Sequence, residues 1–91
     1  MLHKEVHFNI QGRVQGVGFR YSLAQKARAL NVTGWCENKQ DGTVECVAQG
    51  EEDALHTLVK WCRKGPLFAK VKELIVEWRK QEDPHQSFEI K

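Results

Sequence analysis

Val6, Phe8 and Ile10 alternate with His7, Asn9 and Gln11, so residues 4–11 are predicted as a strand with one buried face. The period then changes. Phe19, Leu23, Ala27 and Leu30 recur at helical spacing, with Gln25, Lys26 and Arg28 off the stripe, which predicts a helix over 19–30. Asn31 follows, where helices often end in the left-handed conformation that asparagine tolerates. Residues 33–39 and 43–49 return to alternation around Asp41-Gly42, a hairpin signal. Val44, Cys46 and Ala48 fall on one face of the second segment; Glu45, Val47 and Gln49 fall on the other. Leu55, Leu58, Val59 and Cys62 make a second helical stripe within 51–63. Acidic Glu51, Glu52 and Asp53 at its start and basic Lys60, Arg63 and Lys64 at its end suit the helix dipole, and Gly65-Pro66 ends it. Over 69–79, Ala69 and Val71 alternate, then Leu74, Val76 and Trp78 do so in the other phase; a bulge near Glu73 reconciles the two. Residues 81–85, with Pro84, are predicted as a loop, and 87–91 as a short closing strand with Phe88 and Ile90 on one side.

This order, β-α-β-β-α-β with a short C-terminal strand, predicts an α+β, ferredoxin-like split βαβ fold: an antiparallel sheet with two helices on one face. Its 91 residues suffice for a single domain over 1–91 and not for two. Hydrophobic content of 41% and charged content of 29% place the chain among globular proteins. A net charge of +2 is too slight to argue for a nucleic-acid partner. The alternating, charged N-terminal stretch does not read as a signal peptide, and no apolar run is long enough to span a membrane, so a cytoplasmic protein without a membrane partner is expected. Cys36, Cys46 and Cys62 are an odd number without a CxxC spacing, which argues against a disulfide framework and a zinc site. Each reads as a small buried apolar residue. With the turn near Asp41, Cys36 lies opposite Cys46; a cross-strand disulfide is conceivable, and reduced thiols are the expectation in cytosol. His3, His7, His56 and His85 show no metal-ligand spacing.

The candidate chemistry is concentrated in Gly12–Arg20, GRVQGVGFR. Its glycines (Gly12, Gly16, Gly18) permit a curl that aims several N–H groups inward, and such concavities attract anions. The predicted helix start adds free N–H groups and partial positive charge. Arg20 adds a planar guanidinium fork that matches phosphate oxygens. The stretch is neither a Walker A loop, which needs a lysine that is missing here, nor a GxGxxG fingerprint, since Phe19, Arg20 and Tyr21 follow Gly18. By composition alone, a phosphate cradle and a glycine-rich turn with a solvated arginine both remain open. In this topology the 33–39 strand runs parallel to the first, so Asn38 ends at the same sheet edge as the glycine loop. By itself Asn38 also reads as a turn residue preparing the Gln40-Asp41-Gly42 reversal.

Taken together, GRVQGVGFR and GWCENKQDGTV closely resemble the acylphosphatase family. The first matches that family's glycine loop and its catalytic arginine, here Arg20; the second matches its Gly-Trp, catalytic asparagine and Asp-Gly turn, here Gly34-Trp35, Asn38 and Asp41-Gly42. Gln49-Gly50, Gly65-Pro66 with Ala69 and Val71, and the closing Phe88 and Ile90 extend the resemblance over nearly the whole chain. Asn31 stands where family members commonly have glycine, and Gly18 where some have cysteine. The resemblance implies a hydrolase that cleaves the carboxyl–phosphate bond of acyl phosphates to carboxylate and inorganic phosphate. It implies that Arg20 and the backbone amides of Gln15, Gly16, Val17, Gly18, Phe19 and Arg20 hold the phosphoryl group, and that Asn38 positions the attacking water. The implied partner is a small acyl phosphate, with inorganic phosphate as product or competitive inhibitor, no cofactor or metal, and a monomer at this size.

The chemistry accounts for what the sequence lacks. A carboxylate whose conjugate acid has a pKa of about 4 leaves without a general acid. The phosphate itself can accept the water's proton, so no dedicated base is required. Positioning and charge stabilisation remain, as in other phosphoryl transfers.

Two other classes share the topology. An RNA-recognition domain displays stacking aromatics on its central strands, whereas the 43–49 segment has none and Phe8 shares a face with Val6 and Ile10. A non-catalytic anion sensor could keep the cradle and would bind phosphate without turnover.

Overall fold

The computed structural model describes residues 3–81 and 83–91. Met1, Leu2 and Glu82, the last within the predicted 81–85 loop, lie outside the described residues. The elements follow the predicted order: β1 (His3–Arg13), α1 (Phe19–Ala29), β2 (Thr33–Asn38), β3 (Val44–Glu51), α2 (Glu52–Lys64), β4 (Lys70–Lys80) and β5 (Phe88–Ile90). One five-stranded sheet has the order β4-β1-β3-β2-β5. β3 is antiparallel to both β1 and β2, so those two are parallel to each other and their C-terminal ends meet at one end of the sheet. β4 lies antiparallel on the other side of β1, and β5 joins β2 in parallel.

The core forms where the two periodicities meet. Val6, Phe8 and Ile10 of β1 and Val44, Cys46 and Ala48 of β3 pack with Leu23 and Ala27 of α1 and Leu55 and Leu58 of α2, all without solvent exposure. Burying one Phe or Leu fully stabilises by roughly 1.5–3 kcal/mol. Exposed ion pairs such as Lys4–Glu52 at 3.1 Å add little beside this. Among the described residues no helix is long and apolar enough to cross a membrane.

Irregular positions follow the sequence signals. Asn31 has φ 59°, the left-handed conformation expected after α1. Gln11 pairs with Glu73 while Gly12 pairs with Val71, which leaves Lys72 as the extra residue of a bulge beside Glu73. The bulge returns Val71 to the core side with Leu74 and Val76. β1 continues to Arg13 rather than stopping at Gln11 because β4 still pairs with it beyond the bulge.

The second face of β3 differs from simple alternation. Val47 and Gln49 are buried, not solvent-facing. The chain after β4 crosses this face and is clasped by Gln49, whose Nε2 donates to Glu5 Oε1 (2.7 Å) and to the Asp83 carbonyl (2.8 Å). Its Oε1 accepts from the His85 N–H (2.8 Å). Trp35 lies opposite Val47 on β2.

Two features of β2 carry direct consequences. Gly34 has φ 136°, and a Cβ built there would lie 1.9 Å from the Val47 carbonyl oxygen. Cys36 is registered directly opposite Cys46. The Cys36 carbonyl accepts from Lys91 N–H (2.8 Å) on the β5 side, so the cysteines form a non-hydrogen-bonded pair with β3, the geometry that brings side chains closest. All three cysteines are nevertheless free and buried. Burial pushes the Cys36 thiol up to about 11 despite the opposing charges of Arg20 and Arg28. Burial raises Cys46 and Cys62 as well.

Gly34→Ala should destabilise the fold by more than about 2 kcal/mol in urea titrations, through strain and overlap with β3. Gly50→Ala, whose Cβ would meet Val32 Cγ2 at 3.5 Å and needs no left-handed backbone, should cost less than about 1 kcal/mol. Raised pKa values keep the thiols protonated at pH 8, so an aromatic disulfide reagent should label none of them in the folded protein and all three in guanidinium chloride. Rapid labelling of the folded chain would show that the thiols are not enclosed.

Candidate active site

The connection from β1 to α1 is pinned at both ends. Val14 and Phe19 are each 1% exposed, and the Phe19 ring meets Trp61 edge-on at 5.8 Å. Between them Gly16 and Gly18 adopt φ 74° and 73°, so the backbone curls instead of continuing β1. Gly18 precedes the first turn of α1, and its carbonyl accepts the first helical bond, from Ser22 N–H at 3.1 Å. Among the described residues, no N–H from Gln15 to Tyr21 donates to a protein acceptor. The start of α1 has no side-chain cap and no acidic residue. α2, by contrast, begins with Glu52 and Asp53. The uncompensated positive end of α1 is therefore a property of this helix start.

Arg20 lies in that first turn. Its Nη1 donates to a main-chain oxygen of Lys91 at 2.7 Å, which restrains the guanidinium and leaves its other donors available. Eight residues on, Arg28 Nη2 donates to the Phe88 carbonyl at 2.8 Å, so the two arginines hold β5 along α1. Lys91 Nζ lies 4.4 Å from the Trp35 ring centroid. Beneath this turn the Cys36 thiol donates to the Arg20 carbonyl over 3.7 Å, joining α1 to β2.

Asn38 is the last residue of β2. Its Oδ1 is buried without a hydrogen-bond partner in the protein. The following bend is held by Asp41, whose Oδ1 accepts from Thr43 N–H (3.0 Å) and Oγ1–H (2.6 Å). Those bonds, with the Thr43 hydroxyl foremost, hold the Asp41 carboxyl below its ordinary range.

A cavity of about 190 Å³ joins these parts, lined by Gly16, Gly18, Phe19, Arg20 and Asn38. That is well above the ~10–15 Å³ that one water needs, and leaves room for a tetrahedral anion beside a water. Val14, Tyr21 and Ile90 complete the wall and were not singled out from the sequence. Only their proximity in space marks them, although Tyr21 and Ile90 are 62% and 40% exposed for apolar groups. Gln15 and Val17 do not line the cavity. The Gln15 side chain turns to the hairpin bend, and Val17 packs against the core.

No carboxylate or imidazole lines the cavity. The His7–Glu45 pair (2.8 Å), in which the hydrogen bond from His7 lowers the Glu45 carboxyl, is not part of the wall. Among the described residues no three His, Cys, Asp or Glu side chains are grouped to hold a metal ion. The arrangement offers unpaired backbone donors, one restrained guanidinium and one unpaired amide oxygen, a set suited to an anion and a neutral hydrogen-bonding molecule together.

The acylphosphatase family profile matches residues 6–90. An acylphosphatase of Thermococcus kodakarensis is 44% identical over 82 residues, covering 90% of each chain. The acylphosphatase structure from Coxiella burnetii superposes with a TM-score of 0.93 at 38% identity, covering 99% of this chain and 94% of that one. The Bacillus subtilis acylphosphatase structure gives 0.94 at 36% identity, with 97% and 98% covered. With both the sequence and the fold matched over nearly its full length, the chain belongs to the acylphosphatase family.

Proposed function

We propose that this acylphosphatase hydrolyses its substrate by in-line attack of a water positioned by Asn38 on a phosphoryl group held by Arg20 and the loop amides. The observation that supports this reading is the shared cavity: Arg20 and Asn38 both line it with the curl, and Asn38 Oδ1 has no partner among the described residues. Phosphoryl oxygens take the unpaired N–H groups at the curl and the free donors of the guanidinium. The Asn38 side-chain amide hydrogen-bonds the water and turns an oxygen lone pair towards phosphorus. The new P–O bond forms as the bond to the acyl oxygen breaks. A carboxylate leaves, and the water's proton passes to phosphate oxygen, so products balance without a protein acid or base. The acyl part lies at the open rim, where Tyr21 and Ile90 present apolar surface. Gly16, Gly18, Phe19 and Arg20 line the cavity, and the backbone N–H groups from Gln15 to Arg20 have no acceptor among the described residues.

Preorganised donors aimed at developing charge are typically worth about 10²–10³ in rate each. Arg20→Ala should abolish nearly all turnover of benzoyl phosphate, followed by its ultraviolet absorbance. Arg20→Lys should fail as well, because an ammonium keeps the charge and loses the planar fork; a near-normal rate would refute bidentate contact. Asn38→Ala should reduce kcat by about 10²-fold or more while inorganic phosphate inhibits almost as before. Collapse of phosphate inhibition would instead make Asn38 a ligand of the anion. The wild-type rate should be unchanged in EDTA, and loss restored by added metal would contradict the scheme.

A further inference from the structure

The two halves of the site belong to different segments: Arg20 and the curl follow β1, whereas Asn38 ends β2. Cys36 joins them beneath Arg20, and the Gln15 side chain spans the gap at the bend itself. Gln15 Nε2 donates to the Lys39 carbonyl at 2.8 Å and to the Thr43 carbonyl at 2.9 Å. Both partners are acceptors, so the amide orientation is determined: the NH2 group faces the bend and both of its hydrogens are used.

Those carbonyls are already engaged once. Lys39 O accepts from Gly42 N–H at 3.2 Å, and Thr43 O accepts from Lys39 N–H at 2.8 Å. Gln15 therefore takes the second lone pair of each carbonyl in the bend directly after Asn38. Among the described residues, no other hydrogen bond links residues 14–18 to residues 38–43. From this geometry we infer that the Gln15 side chain is a positioning residue: it sets the separation between the phosphate curl and Asn38, and so the line of attack of the water.

The inference rests on the assignment of Asn38 to the attacking water. Its energetic and kinetic consequences differ in size. The bonds are partly exposed, and water can replace much of their strength. Water cannot hold the two segments at one separation, and a displacement of about 1 Å can cost about 10²-fold in rate.

The test uses Gln15→Met, which keeps the length and packing and removes both donors, and Gln15→Glu, which at neutral pH presents only acceptors to two carbonyls. The expected result for Gln15→Met is a fall of about 10–100-fold in kcat on benzoyl phosphate with KM and the inhibition constant for inorganic phosphate changed less than about threefold. In Gln15→Glu the rate, taken relative to wild type at each pH, should recover partly as the pH falls through about 4–5, where a protonated carboxyl regains one donor. In an Asn38→Ala background, Gln15→Met should add no further loss of kcat. An unchanged kcat in Gln15→Met, a parallel loss of phosphate affinity, full additivity with Asn38→Ala, or a flat relative pH profile in Gln15→Glu would each overturn the inference. Asn38→Ala also separates the two levels. If it keeps the wild-type rate, the water assignment itself fails. If it loses the rate while Gln15→Met does not, only the role of Gln15 fails.

Discussion

Burial of Val14 and Phe19 at the two ends of one short curl is the constraint on which the site depends. Backbone N–H groups without protein partners are costly to maintain in a compact fold. They persist here because the apolar side chains on either side are anchored in the core and the intervening glycines can take the left-handed turns. The hydrophobic effect, which has no direction of its own, thus holds a directional set of donors in place. Phe19 has a second part in this, since its ring also packs edge-on against Trp61 of α2.

Strand order does the remaining work. Because β3 lies between β1 and β2 and is antiparallel to both, the residue ending β2 and the curl leaving β1 reach the same end of the sheet. β5 then brings a main-chain oxygen of Lys91 to Arg20, and Arg28 holds the other end of that strand. A three-residue strand would have little stability alone; here it is paired with β2 and fastened by two charged donors. Arg20 consequently reaches the cavity with part of its freedom already removed, the condition under which a guanidinium is most effective in charge stabilisation.

Much of this was legible along the chain because it depends on local physics. The change from period two to helical period, the left-handed Asn31, the phase slip at the Lys72 bulge and the buried stripe Leu55, Leu58, Val59 and Cys62 all have local signatures. Arg20 and Asn38 were singled out by the resemblance of GRVQGVGFR and GWCENKQDGTV to the acylphosphatase family, since residue types alone left a solvated arginine and a turn asparagine also open. Gln49 could not be read in this way. A glutamine alternating with apolar neighbours belongs on a wet face unless another segment covers it, and the covering chain near Asp83 and His85 comes more than thirty residues later. Tyr21 and Ile90 were equally hidden, because each is ordinary in its own element and only the pairing of β5 with β2 brings Ile90 to the cavity.

The linear chain by itself determined the elements, their order and the glycine curl. These follow from propensity, periodicity and turn chemistry, which act over a few residues. Tertiary structure alone decided that Gln15 would face the hairpin bend rather than the cavity, that Arg20 would be held by a main-chain oxygen of Lys91, and that Asn38 would keep an amide oxygen unpaired. Hydrogen-bond partners across such separations are selected by which surfaces the core brings together, and no local pattern encodes that selection.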